Sequence, residues 1–327
     1  MVRLAGGRNS RVYRVCCGLG REVAVKLYPP ESKGDRSRMD KELRALEFLN
    51  RHEVEGVVQL LARDDSRRAA VLGLAPGLAS GGRPLAAGDV NQAVEFLAGL
   101  QRLRLKPEAD SLSRASEAVF SLKELEANLL ERQTSLAATA SNRPVVRQML
   151  DFLENSLAPF REQVMQRATD LLDVHGWGAD QSLPYEWRIL SPSDFGFHNA
   201  VLSSEGRWTF LDLEHFGWDD PVKTISDFCL HPAMQLAEPL RRQFRDALID
   251  MFNEDWLLTH RLRAVFPLYG VKWCFILLNE FQRQGLNRRS FASVAQEEPE
   301  RLLVNQLEKA EAMMHRVKEA YNHDITI

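Results

Sequence analysis

The chain has 327 residues, 45% hydrophobic and 27% charged, with a formal net charge of −3 and a pI near 6.3. That length suits a two-lobed enzyme with a sizeable core, and the charge leaves no general footprint for nucleic acid. No membrane span or leader segment is expected, and the four cysteines, Cys16, Cys17, Cys229 and Cys274, lack metal-ligand spacing, which together fit a reducing cytoplasm.

Residues 4–15 read as a glycine turn between two strands. Gly6 and Gly7, followed by Asn9 and Ser10, form a turn whose backbone N–H groups can approach a phosphate without steric cost. Adjacent Cys16 and Cys17 read as small apolar fillers on a strand. Residues 22–28 alternate, with Val23, Val25 and Leu27 on one face and Ala24 and Lys26 on the other. A small residue beside a lysine leaves room for a base and sets an ammonium near its phosphates; the competing reading is an exposed lysine on a half-buried strand.

Helical spacing over 37–51 puts Met39, Leu43, Leu46 and Leu49 on one stripe, and Glu42 falls on or beside it. A carboxylate there needs a partner, and Lys26 on the preceding strand is the candidate. Residues 71–77 read as a strand that breaks at Pro76-Gly77, and 77–84 as a linker. Helices are expected over 89–105, 112–133, 145–174, 235–260, 261–284 and 297–322. The organisation is thus 1–75 as a nucleotide-binding lobe, 76–84 as hinge, and 85–327 as a mainly helical catalytic and substrate lobe.

Between those helices lie Asp194 and, five residues on, Asn199, then a hairpin through 200–211 that ends at Asp212 and Glu214. The hairpin brings Asn199 and Asp212 together. Spaced this way, one Asp aligns an attacking hydroxyl while an amide oxygen and a second carboxylate supply hard ligands for magnesium. Taken alone the Asp-to-Asn spacing is weak, because both residues are common in turns.

Together, Gly6 to Val15, Lys26, Glu42, Asp194 to Asn199, and Asp212 to Glu214 make the chain resemble the aminoglycoside phosphotransferase and choline kinase superfamily, as a divergent member. The resemblance implies an α+β, bilobal protein kinase-like fold, with a small antiparallel sheet and one helix in the first lobe. It implies ATP and Mg²⁺ as cofactors, with Leu74 at the adenine-contacting hinge and Gly6, Gly7, Asn9, Ser10 and Lys26 on the nucleotide. Asp194 would be the catalytic base or orienting group, supported by Lys26 and Glu42, with Asn199 and Asp212 on the metal and Glu214 as an auxiliary group near the substrate. Asp220 and Asp227 match the family's following Asp-Pro and helix-start Asp. Pro192 departs from the pattern, standing where the family has a histidine that braces the loop.

For the acceptor, Lys272, Trp273 and Asn279 stand out in a strongly apolar stretch, with Lys272 and Asn279 seven apart on one helix face and Arg283, Arg288 and Arg289 following. A basic pocket suits a sugar phosphate or acidic sugar; the alternative is a core helix with a snorkelling lysine. The expected activity is transfer of the ATP γ-phosphoryl group to a hydroxyl of a small molecule, a sugar or sugar derivative. An aminoglycoside or amino-alcohol kinase and a catalytically weak nucleotide-binding pseudokinase remain the alternatives.

Overall fold

Strands β1 (Val2–Leu4), β2 (Arg11–Cys16), β3 (Glu22–Leu27), β4 (Leu60–Asp64) and β5 (Ala69–Gly73) form one antiparallel sheet in the order β1-β2-β3-β5-β4. This computed structural model describes residues 1–4, 10–29, 36–79, 83–234, 236–282 and 298–322. Gly6, Gly7, Asn9, Arg283, Arg288 and Arg289 lie outside the described residues. Helix α1 (Arg36–Arg51) buries the expected stripe of Met39, Leu43, Leu46 and Leu49. On β3 the burial is the reverse of what hydrophobicity alone suggests. Ala24 and Lys26 are buried, and so is Tyr28 just beyond the strand, while Val23, Val25 and Leu27 are only half-buried. The face that meets α1 is the one carrying the lysine, because an ion pair to Glu42 waits there. Cys16 and Cys17 are exposed at the end of β2 rather than packed as fillers.

In the stretch expected to be the hinge, the described residues include a short strand. β6 (Leu78–Ala79) pairs with β8 (Ala200–Leu202), which pairs in turn with β9 (Trp208–Phe210). Gly77 holds φ +126°, and a Cβ there would overlap the Leu202 carbonyl oxygen, so only glycine lets the hinge lie this close to β8. A second small ribbon joins β7 (Ile189–Ser191) to β10 (Gly217–Asp219). These two ribbons carry the acidic motifs.

The rest of the second lobe is helical: α2 (Ala87–Leu103), α3 (Leu122–Ala137), α4 (Pro144–Phe152), α5 (Ala158–Asp173), α6 (Pro221–Leu230), α7 (Glu238–Met251), α8 (Leu258–Leu277) and α9 (Pro299–Asn322). α8 is the central post, packed by α3, α5, α6 and α9. Together with the 3₁₀ turn that follows, it forms a segment, Leu258–Phe281, long and apolar enough to cross a bilayer, contrary to the expectation that none exists. That segment is the core of the lobe, with 72% of its apolar window buried inside the fold.

Several helix boundaries differ from those expected, four of them for a visible reason. Residues 112–118 are not helical, because Ala115 and Ser113 spend their backbone groups on Trp218 of β10. The span 145–174 is interrupted by a π turn at Leu153–Leu157, just ahead of Pro159, which has no N–H to offer the Asn155 carbonyl. The break expected at 260 lies earlier, where Asp255 accepts from the Leu257 N–H at 3.0 Å ahead of α8. Asp89, expected to open α2, sits in its first turn and accepts from the Ala86 N–H at 2.7 Å.

Candidate active site

The segment 192–199, between β7 and β8, is pinned by its aromatic residues. Phe195 and Phe197 are buried, Phe195 stacking on Phe96 and Phe228 and Phe197 packing on Trp208. With those rings inward, Asp194 and Asn199 stay partly exposed. Gly196 lies in close contact with its neighbours, since a Cβ there would displace the Met234 side chain and meet His198 Nδ1 at 2.9 Å. Two non-glycine residues of the site hold left-handed backbone, Ser193 at φ +69° and Asp212 at φ +62°. Such conformations persist only where surrounding contacts over-determine them, and they concentrate at functional sites.

Asp194 is 39% exposed, and its Oδ2 accepts from Asn199 Nδ2 at 3.1 Å. Asn199 Nδ2 also donates to the Asp194 carbonyl at 3.0 Å, so the amide nitrogen is occupied and the amide oxygen is left for another role. Leu211 N–H donates to the Asn199 carbonyl at 2.7 Å, which fastens the residue before Asp212 beside Asn199. Burial works against the Asp194 charge. The hydrogen bond from His198, then the positive character of His198, His231 and His215, outweigh it and hold the carboxyl well below the usual range.

Across the cleft, Lys26 Nζ donates to both Glu42 oxygens, at 2.8 and 2.6 Å, and to Asp212 Oδ1 at 2.7 Å. Tyr28 O–H donates to the same Glu42 carboxylate at 2.8 Å. Burial opposes the ammonium, but Asp212 and then Glu42 hold it protonated well above the ordinary lysine value. Glu214 is buried, with Arg38 at 3.0 Å and His215 at 3.4 Å. Burial opposes its charge as well; His215, Lys26 and Arg38 bring its pKa down to about 2. Oxygens of Glu42, Asp212 and Glu214 lie within 4.8 Å of one another. The all-oxygen donor set of Asp212 and Asn199, beside this surplus of carboxylates, fits a magnesium ion.

Ser10 is buried at the foot of β2, and Leu74 packs half-buried at the hinge. The acceptor candidates fare differently. Lys272 is 2% exposed, and its Nζ lies 3.3 Å from both the carbonyl and the carboxylate of Glu117. Burial pushes its pKa down, and it is not an open cation for an anionic substrate. Trp273 donates from Nε1 to Asp227 Oδ1 at 2.9 Å. α8 ends at Leu277, so Asn279 falls in the 3₁₀ turn Leu278–Phe281 and does not share a helix face with Lys272. Asp227 lies inside α6; the helix-start residue is Asp220, whose side chain accepts from the Val222 N–H.

Several site residues escaped sequence reasoning. Lys223 is buried under the loop, its Nζ 2.8 Å from Ser193 Oγ, 3.2 Å from Asp219 and 2.9 Å from Asp227. The spacing of Asp219, Lys223 and Asp227, four and four, was available as a signal. His198 Nε2 lies 3.0 Å from Asp194 Oδ1, and His231 Nε2 3.6 Å from the same oxygen. Nothing in sequence spacing links His231 to Asp194.

No protein-family model and no curated protein matches the sequence. Solved structures do match. An ADP-bound aminoglycoside phosphotransferase aligns at TM-score 0.58 and 14% identity, over 97% of this chain and 93% of its own. A spectinomycin phosphotransferase in complex with ADP and spectinomycin aligns at TM-score 0.60 and 10% identity, over 95% of this chain and 92% of its own. An ethanolamine kinase from Plasmodium vivax aligns at TM-score 0.57 and 10% identity, over 95% of this chain and 81% of its own. The chain therefore has the bilobal α+β fold shared by the aminoglycoside phosphotransferases and the choline and ethanolamine kinases.

Proposed function

We propose that this protein is an ATP- and Mg²⁺-dependent phosphotransferase that moves the γ-phosphoryl group to a hydroxyl of a small molecule. The observation that carries the reading is a pair of hydrogen-bonded sets joined through the adjacent residues Leu211 and Asp212. They run from Glu42 through Lys26 to Asp212, and from Leu211 through Asn199 to Asp194. Ligands of the neighbouring structures, ADP in two of them, support nucleotide use.

In this reading Lys26, held by Glu42, grips the α/β-phosphates, and Asn199 and Asp212 hold the metal, which when bound neutralises charge on the phosphates. Asp194 aligns the hydroxyl and accepts its proton, in keeping with a loose transition state in which position and electrostatics do most of the catalysis. A sugar or sugar derivative is the acceptor class we carry forward, without the anionic preference that a free Lys272 would have supported.

The test is a coupled ADP-release assay with Mg-ATP and a panel of sugars, sugar phosphates, amino alcohols and aminoglycosides. Asp194→Ala should lower turnover by about 10²–10⁴-fold while sparing ATP binding. Undiminished turnover in that variant would refute the assignment.

A further inference from the structure

Asp194 is partly exposed, yet a group that aligns a hydroxyl must hold one orientation. The residues before it contribute nothing to its carboxylate. Pro192 has no donor, and the Ser193 hydroxyl donates to the Ser116 carbonyl at 2.9 Å. Asn199 Nδ2 holds one oxygen at 3.1 Å, and the other is held by His198 Nε2 at 3.0 Å, with His231 Nε2 at 3.6 Å. The His198 imidazole has no other polar tie: its Nδ1 is buried with no hydrogen-bond partner among the described residues. A ring held by one atom can pivot. What fixes its plane is His231, whose ring lies parallel to it, 10° apart in plane and 3.6 Å between centroids.

His231 is itself well anchored. Its Nδ1 accepts from the Ala233 N–H at 3.2 Å, and its face meets Trp273 edge-on at 4.6 Å and 86°. Trp273 is tied to Asp227, and Asp227 to buried Lys223. We propose that His231 is a positioning residue for Asp194, acting through the His198 ring, and that Trp273 serves this brace rather than the acceptor. The inference rests on the reading of Asp194 as the group that aligns the hydroxyl. A metal site is the other use of these residues, since ligand atoms of Asp194, His198 and His231 lie within 4.8 Å of one another. Two nearly parallel rings share no nearby point in both planes, however, so one ion cannot be an in-plane ligand of both.

The decisive comparison is Asp194→Ala, His231→Phe and His231→Ala, assayed for ADP release from Mg-ATP with water as acceptor and for Mg-ATP affinity. His231→Phe keeps a flat ring on His198 and should retain most of the rate. His231→Ala frees that ring and should lower kcat by about 10²-fold with unchanged nucleotide affinity. Wild-type rates in His231→Ala, equal losses in the two His231 variants, or a loss of kcat matched by lost affinity would each overturn the proposal. Undiminished turnover in Asp194→Ala would instead refute the reading it rests on. Nitrogen-15 spectra of the imidazoles give a second readout: the His198 signals should stay as in the wild type in His231→Phe and change in His231→Ala, and signals alike in the two variants would sink the idea.

Discussion

Two sites in this molecule use the same ingredients, one buried ammonium and two carboxylates, to opposite ends. Lys26 binds Glu42 and Asp212; Lys223 binds Asp219 and Asp227. The first set is gathered from β3, α1 and the segment after β9, the second from one stretch at a spacing of four. Their difference lies in accessibility. The side chain of Asp212 is 33% exposed, whereas those of Asp219 and Asp227 are 0% and 13% exposed. A carboxylate at the edge of water can exchange its lysine for a metal ion. One sealed in the core cannot, and its lysine is left to fix Ser193 beneath the loop. Identical chemistry becomes a site or a brace according to whether one member reaches solvent.

The largest effect that could break this contrast is removal of each ammonium. Lys223→Met strands two sealed carboxylates and should cost about 3–5 kcal/mol of stability, read as a lowered denaturation midpoint. Lys26→Met should cost less, because Asp212 can turn to water and Tyr28 still donates to Glu42, yet it should lose the greater share of turnover. Equal stability losses would mean that exposure of Asp212 does not distinguish the two sets.

Acid offers a second, smaller probe. The Glu214 pKa is lowered from 4.5 to about 2 in the folded protein. A depressed carboxylate stabilises the fold above its unfolded pKa, and the contribution fades as pH falls from near 4.5 through 2. The full span is on the order of 3 kcal/mol. Asp219 shifts the other way, pushed up by burial, so acid should release strain there rather than create it. Glu214→Gln should therefore flatten the stability profile over that window, and Asp219→Asn should not. A profile unchanged by Glu214→Gln would show that Glu214 is not the acid-labile carboxylate beside the first set.

How much of this was legible beforehand follows from the physics of each residue. Lys26 and Glu42 could be paired from sequence because the helical stripe placed a carboxylate where it needed a partner and the preceding strand offered a lysine, although the strand's alternation pointed to the wrong face as buried. Asn199 and Asp212 could be placed side by side because a short hairpin joins them, and Asp194 by its five-residue step to Asn199. Lys272 could not be judged, since its partner Glu117 sits 155 residues away in a non-helical segment that helical spacing had disguised. His231 was hidden for a similar reason: stacking leaves no periodic trace, and its partner ring is brought to it only by the packing of α6 against the loop. Boundaries failed where backbone groups were claimed by distant partners, as at 112–118.

The finest test swaps one oxygen for nitrogen in each set. Asp212→Asn keeps the shape and leaves Lys26 on Glu42, so the fold should stand. What it loses is a charged metal ligand, and Mg-ATP should bind about tenfold more weakly, ~1.4 kcal/mol, by titration calorimetry. Asp219→Asn should do the converse, costing about 1–3 kcal/mol of stability through a weakened buried hydrogen bond. Its Mg²⁺ requirement should stay where it is in the parent protein. If Asp219→Asn raised that requirement as much as Asp212→Asn did, the buried set would be coupled to the metal through Ser193 and the loop. The division between site and brace would then have to be redrawn as a single unit spanning both.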